Sequence, residues 1–360
     1  MEIAVLGGGN GAYAAAVDLS EQGHQVRLWR RNAHAFGELQ QTHTLTLLDH
    51  DGERSVTLKT VTANITEAVS GAALVVIPGP AFAQADIAAA LAPAICDGQV
   101  VFLPPGTFGS YIMAKALRDA GCEANVTFAE TGTLPYLTRK HGNHRIAITR
   151  RATRLPTGMF PACNDAKARA VIAAAYPSIE SCEDALSGAL MNAGPIIHPP
   201  LILMNAGPIE HFEHWDIHNE GTQHSIRRVT DQLDSERVAI REALGYGAPH
   251  FPLADHYNPD GDEWMYGRKA HSQLVDSGDW REDLNLRKHR YMREDVAMGL
   301  AFLVSAGRFA NVATPVASGL LALGGAICGE DFNSTGRTLE QLSLDSYTPE
   351  QLQGVLQNGF

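Results

Sequence analysis

At 360 residues the chain is longer than one hydrophobic core ordinarily serves, which implies about two domains. With 45% hydrophobic and 19% charged residues it reads as folded rather than disordered, and a net charge of −12 excludes general attraction to nucleic acid or an anionic membrane surface. The five cysteines (Cys96, Cys122, Cys163, Cys182, Cys328) are scattered with no Cys-x-x-Cys pair, which excludes a disulfide framework or structural zinc and fits a reducing compartment.

The first strand starts directly after Met1, leaving no room for a signal peptide, and no long uncharged apolar run follows. A cytoplasmic location without a membrane span is therefore expected. Residues 2 to about 180 alternate short apolar runs with helical patterns, the signature of a doubly wound sheet. Glu2–Gly7 predicts a buried strand, Asn10–Gln22 a helix, and Gln25–Arg30 a second strand. Residues 42–60, two Thr/Leu/Val-rich runs around Asp49-His50-Asp51-Gly52, predict a hairpin. Further strands are expected at 73–79, 100–106 and 126–131, with helices at Phe82–Leu91, Ser110–Ala120 and Asp165–Ala175.

Beyond about Ser187 the pattern turns helical, with a long helix over Thr222–Leu244, a Gly/Pro/Asp-rich loop over Gly245–Asp283, and a further helix from Tyr291. The segment Met191–Ile196 recurs as Met204–Ile209, each copy followed closely by a histidine, His198 and His211. An offset of this length turns an ideal helix by roughly 220° beyond whole turns, at about 100° per residue. The two copies are thus expected to be inequivalent, at most one serving a given cleft.

The run from Glu2 to Arg31 carries the strongest chemical signal. Gly7, Gly9 and Ala12 fill the three small-residue places of a GxGxxG/A turn, with Asn10 and Gly11 between them. The first glycine permits the tight turn, the second admits a pyrophosphate, and the third small residue lets the helix pack on the strand. The helix start offers unpaired amides and a positive dipole end. A nicotinamide dinucleotide is the expected ligand. Where an acidic residue would bind the ribose hydroxyls, this chain has Arg30 and Arg31, and guanidinium groups bind phosphate oxygens in pairs. NADP(H) is therefore expected in preference to NAD(H). Pro78, Gly106 with Thr107, and Glu130 with Thr131 close first-domain strands at the carboxyl ends where ligands bind, making them candidate cofactor and substrate neighbours.

Reduction of C=O or C=N needs a proton donor near the hydride acceptor. Among 15 histidines, His198 stands apart because it opens the second domain within Asn192–Pro200, where a cleft against the first domain is expected. His211, His214 and His218, at helical spacing, present a solvated or inter-helical face rather than a metal site, and no metal is expected.

Nearly the whole chain resembles the opine dehydrogenases, the octopine/nopaline and carboxyethyl-norvaline dehydrogenase group. The resemblance is carried by GGGNGA (7–12), PPGTFGS (104–110), FAET (128–131), the Asn-x5-His-Pro of 192–199, LNLRKHRYMREDVAMGL (284–300), NVATP (311–315) and FNSTGRTLEQL (332–342). It implies a Rossmann-type α/β doubly wound domain (1–184) and an all-α, 6-phosphogluconate-dehydrogenase-like domain (185–360), with a homodimer the expected assembly. It implies His198 as proton donor and Asp295 as the carboxylate that orients it; such a pairing fixes an imidazole's tautomer and raises its pKa. Asn192 would hold the substrate carboxylate or the nicotinamide end, or else serve as a satisfied helix polar group. Arg30 departs from the norvaline-type enzyme, which resembles an NADH binder with an acidic residue there.

The implied reaction joins an α-keto acid to the amine of an amino acid through an imine reduced by NADPH. The rivals are a two-domain ketone reductase of ketopantoate or glycerol-3-phosphate type, and an NADPH sensor without turnover. Such reductases use a second-domain lysine, and Leu186–His218 contains none.

Overall fold

The computed structural model describes residues 1–360. Twelve strands, β1 (Glu2–Leu6), β2 (Gln25–Trp29), β3 (Thr44–Asp49), β4 (Gly52–Thr57), β5 (Thr60–Thr62), β6 (Leu74–Val76), β7 (Val100–Leu103), β8 (Thr127–Thr131), β9 (Tyr136–His141), β10 (Arg145–Arg151), β11 (Leu155–Phe160) and β12 (Ile179–Ser181), form two sheets. The larger runs β12-β11-β8-β7-β6-β1-β2-β5. Its pairs are parallel except β11 against β8. Ile3–Leu6, Leu74–Val76 and Val100–Leu103 are fully or almost fully buried, the continuous apolar runs that a sheet covered on both faces requires. From β1 the chain order runs outward in both directions, so the crevice beyond the carboxyl ends of β1 and β6 is the topological switch point where ligands of such sheets bind.

The expected hairpin is present as β3 and β4, but it does not stand alone. It pairs in parallel with β10, which pairs antiparallel with β9, making a second sheet in the order β4-β3-β10-β9. The β9–β10 hairpin was not anticipated, because charged residues such as Arg139, Lys140, Arg145 and Arg150 hide the alternation, and β5, β11 and β12 were not anticipated either. An ion-pair network fastens the small sheet to the Asn10–Glu21 helix. Arg151 reaches Asp18 at 2.6 Å and Asp49 at 2.8 Å, and Arg54 bridges Asp49 at 2.7 Å and Glu21 at 2.5 Å. The Tyr136 hydroxyl donates to Asp18 at 3.0 Å.

By contacts the chain divides into two compact units, Met1–Ala189 together with Val355–Phe360, and Leu190–Gly354. The expectation placed the division at 184/185. The first unit runs further because the Ala185–Ala189 helix packs on β8 and β11: a side chain at Gly158 would run into the Asp184 carbonyl, and one at Gly188 into that of Glu130. The terminal residues return to this unit through Phe360, whose ring lies 5.2 Å from Phe160 and 5.3 Å from Tyr111.

The second unit contains helices and no strand. Its main helices are Gly194–Met204, His224–Ala243, the π-wound Tyr291–Leu300 continuing into Ala301–Phe309, and Pro315–Cys328. Buried Glu236 accepts hydrogen bonds from the amides of Val316 and Ala317 at 2.8 and 2.9 Å, an anion at a helix start. The expected loop over 245–283 is not featureless. It holds helices Ala254–Tyr257 and Ala270–Ser277 and buries Trp264 and Tyr266, so its polar sequence wraps a small aromatic core. No helix is long and apolar enough to cross a membrane.

Candidate functional site

The residues singled out in the sequence fall into two groups, one in each unit. In the first unit, the loop after β1 turns at Gly7, whose φ of +145° is strained for any residue with a side chain. Gly9 is exposed, and a Cβ there would meet nothing within 4 Å, so the space in front of the loop is open. Gly11 is tight instead: its Cβ would meet Leu134 at 2.6 Å and Pro78 at 3.0 Å. The Asn10–Glu21 helix starts with no side-chain cap and no acid in its first turn, leaving its amides for an anion. Ala12 is fully buried against the strand. An uncapped helix start behind an open glycine matches what a dinucleotide pyrophosphate needs.

Arg30 follows β2 and lies across Gly8, where a Cβ would collide with its guanidinium. It donates to the Tyr13 hydroxyl at 3.1 Å and the Ala35 carbonyl at 2.5 Å, with its guanidinium 5.5 Å from the Phe36 ring centre. Arg31 does not join it: exposed, it points to Asp86 at 3.3 Å. Successive residues leaving a strand point to opposite sides, which parts the two arginines. The Asn10 side-chain oxygen accepts the Lys140 amide at 3.0 Å and fastens the loop to β9.

The loop after β7 holds Thr107 and Phe108 in left-handed backbone, with φ of 53° and 64°. Glu130 imposes this conformation: fully buried, it accepts the amides of Phe108 at 2.6 Å and Ser110 at 3.1 Å, and also the Ser110 hydroxyl. A side chain on Gly106 would strike this carboxylate. Thr131 is fully buried too and gives its hydroxyl to the Pro156 carbonyl at 2.8 Å. The Glu130 and Thr131 side chains thus direct their hydrogen bonds to the loop and the sheet. Their burial follows from β8 being covered on both edges by β7 and β11. Pro78 and buried Thr107 follow the carboxyl ends of β6 and β7.

In the second unit, His198 on the Gly194–Met204 helix places Nδ1 2.7 Å from Oδ2 of Asp295, on the Tyr291–Leu300 helix. Small residues make this approach possible. A Cβ on Gly194 would strike Asp295 and one on Gly299 would strike Pro195, so only two glycines let the helices come this close. The histidine side chain is 15% exposed and that of Asp295 only 8%. Burial pushes the Asp295 carboxyl well above the usual carboxylate range, opposed by the positive charges of Arg290 and His289. A desolvated carboxyl bonded to an imidazole holds one proton with it as a unit. Asn192 is buried beside the pair; its Oδ1 accepts the Gly194 amide at 3.0 Å.

The repeat is inequivalent, as expected, for a reason the sequence did not show. Asn205, the second copy's asparagine, is locked among the carbonyls of Leu201 and Gly221, at 2.8 and 3.0 Å, and the Trp215 ring nitrogen at 3.0 Å. The helical face expected for His211, His214 and His218 does not form, because the helix ends at His211 and Phe212 is extended. His218 instead packs edge-on to the His198 ring at 5.9 Å.

Three contributors escaped the sequence reading. Tyr291 stacks on His198 with ring centres 3.7 Å apart. Gly8 makes room for Arg30, and Lys140 joins the glycine loop from β9. The aromatic residue in the 284–300 segment and the unbroken Gly7–Gly9 run were the available signals; Lys140 had none, since its position depends on the small sheet.

Known proteins compare as follows. The family described as NAD/NADP octopine/nopaline dehydrogenase, alpha-helical domain, matches residues 181–328, and the NAD-dependent glycerol-3-phosphate dehydrogenase N-terminus matches residues 2–103. An opine dehydrogenase of Arthrobacter sp. (strain 1C) is 28% identical over 361 residues, covering 98% of either chain. The structure of an octopine dehydrogenase in complex with NADH and agmatine is similar at a TM-score of 0.71 and 18% identity, over 99% of this chain and 97% of that one. NADP+-bound yersinopine dehydrogenase is similar at 0.65 and 16%, over 100% of this chain and 98% of that one. At such identities the structural likenesses speak to the fold.

Proposed function

The chain belongs to the opine dehydrogenase family of NAD(P)-dependent oxidoreductases, and on that premise we propose that it condenses an α-keto acid with the amine of an amino acid, preferring NADPH. The observation that carries this reading is the His198–Asp295 pair at 2.7 Å. Solved octopine dehydrogenases carry L-arginine or pyruvate beside NADH, which supports an amino acid and a keto acid as the substrate classes. Arg30 at the end of β2 supports the phosphorylated cofactor.

Asp295 holds the imidazole through Nδ1, so the proton-transfer nitrogen is Nε2. Attack of the amine on the keto carbon gives a carbinolamine. The imidazolium, stabilised by the Asp295 carboxylate at Nδ1, passes its Nε2 proton to the hydroxyl oxygen, which leaves as water while the imidazole becomes neutral. The iminium left behind has an electron-poor carbon. Gly7, Gly9, Gly11, Ala12 and Arg30 would hold the dinucleotide, whose chemistry when bound would be hydride supply to this carbon. Asn192 has the place and polarity to orient the substrate carboxylate beside the pair.

The test is a matrix of keto acids (pyruvate, glyoxylate, 2-oxoglutarate) against amino acids, following NADPH absorbance, with His198→Ala alongside. The expected result is amine-dependent oxidation in the native enzyme, nearly abolished in the variant while NADPH affinity persists. Oxidation that proceeds with a keto acid alone, or that survives His198→Ala, would overturn the reading.

A further inference from the structure

Lys140 reaches the dinucleotide loop from a strand of the other sheet. Its backbone amide donates to the Asn10 side chain at 3.0 Å, and its Nζ donates to the Gly8 carbonyl at 3.2 Å. The ammonium also sits 4.5 Å from the centre of the Tyr13 ring. Arg30 approaches the same two groups from β2, its guanidinium lying over Gly8 and bonding the Tyr13 hydroxyl at 3.1 Å. Two cations therefore share one tyrosine and one glycine beside the open face of the loop.

Neither has a carboxylate partner. Lys140 otherwise meets only the Asn143 side-chain oxygen at 3.4 Å, and Arg30 only the Ala35 carbonyl and aromatic faces. Several other cations on this unit are matched to carboxylates: Arg27 with Glu2, Arg54 with Asp49, Arg145 with Glu53, Arg151 with Asp18. In a chain of net charge −12, acidic groups were available to neutralise the pair. Half-burial and the Arg30 charge both push the Lys140 ammonium below its ordinary range, the mark of a cation held where it is uncomfortable without an anion.

The anion can be identified by elimination. The pyrophosphate is served by the uncapped helix start and open Gly9, on the loop itself. The ribose of an unphosphorylated cofactor offers only neutral hydroxyls at the end of the second strand, and two cations there would gain little from them. A 2′-phosphate offers a dianion with three acceptor oxygens. We propose that Lys140, with Arg30, forms the 2′-phosphate subsite, so that Lys140 is a cofactor-specificity residue contributed by the small sheet. This rests on the NADPH reading above and adds to it a residue outside the βαβ motif. Tyr13 is the floor between the two cations, holding Arg30 by its hydroxyl and Lys140 by its ring.

The experiment measures Kd for NADPH, NADH, 2′,5′-ADP and 5′-AMP by titration calorimetry on the native protein, Lys140→Met and Lys140→Arg. Expected is a loss of about 10-fold or more for NADPH and 2′,5′-ADP in Lys140→Met, as befits a charge-assisted hydrogen bond. NADH and 5′-AMP should stay within about twofold, and Lys140→Arg should recover most of the loss. Equal losses for NADPH and NADH would assign Lys140 to the pyrophosphate or to loop structure and overturn the proposal. No loss for either would overturn it as well. A native protein that itself binds NADH as tightly as NADPH would sink the NADPH reading, a failure visible before any variant is made.

Discussion

Tyr291 lies flat against His198, with ring centres 3.7 Å apart and planes inclined by 15°. The edge of His218 closes on both rings, at 5.9 and 6.3 Å, and His289 stands edge-on to Tyr291 at 4.4 Å. A ring bonded to a carboxylate at one nitrogen can still swing about that bond; an aromatic face stacked on it removes the swing. Tyr291→Leu should therefore lower kcat by roughly 10- to 100-fold through misalignment, with NADPH affinity unchanged. Tyr291→Phe keeps the stacked face and should retain most activity. Steady-state kinetics with thermal unfolding separates this from a stability loss, and an inactive Tyr291→Phe would show that the hydroxyl, not the stack, matters.

Asp295→Asn keeps the shape of the carboxyl but removes its charge from beside the imidazole. The amide no longer stabilises an imidazolium, so the protonated donor is lost at lower pH. The basic limb of the condensation pH profile should move toward acid, and kcat should fall on the order of 10²- to 10⁴-fold. A full pH–rate profile is the measurement, and an unmoved limb would mean that Asp295 does not act through the histidine.

Two glycine substitutions should have opposite outcomes. A methyl at Gly194 would strike Asp295 and lie 3.3 Å from the Asn192 oxygen, so Gly194→Ala should cost about 1–3 kcal/mol and most of the activity. Gly319 sits mid-helix in Pro315–Cys328, with nothing within 4 Å of its would-be Cβ. Gly319→Ala should stabilise by about 0.4–1 kcal/mol with kinetics intact. Denaturant unfolding reads both.

His256 sets an acid limit on stability. It is buried against Trp264 and His271, with ring centres 4.8 and 5.6 Å away, and burial followed by the His271 and Arg227 charges drops its pKa from the usual 6.5 to about 3. Between those values the unfolded chain binds a proton that the folded chain refuses, so stability falls as pH drops through that window. The slope from this one group is at most about 1.4 kcal/mol per pH unit. His256→Phe should flatten the stability–pH curve between pH 6.5 and 4, and an unchanged slope would place the acid sensitivity elsewhere.

Much of the first unit was legible because its determinants are local. Gly7, Gly9 and Ala12 act within one turn, the strands of the parallel sheet are unbroken apolar runs, and the 42–60 hairpin is set by its own turn. Each depends on residues a few positions apart, and sequence displays that distance directly. The pairing of His198 with Asp295 was reached through family resemblance, since no periodicity links residues 97 positions apart. Tertiary packing alone decided that Arg30 and not Arg31 faces the loop, that Glu130 and Thr131 turn inward, and that Lys140 meets Gly8 across 132 positions. Those outcomes follow from which helices and sheets close on one another, and that is settled by the fit of whole surfaces, glycine gaps and ion-pair networks rather than by any residue's neighbours in the chain.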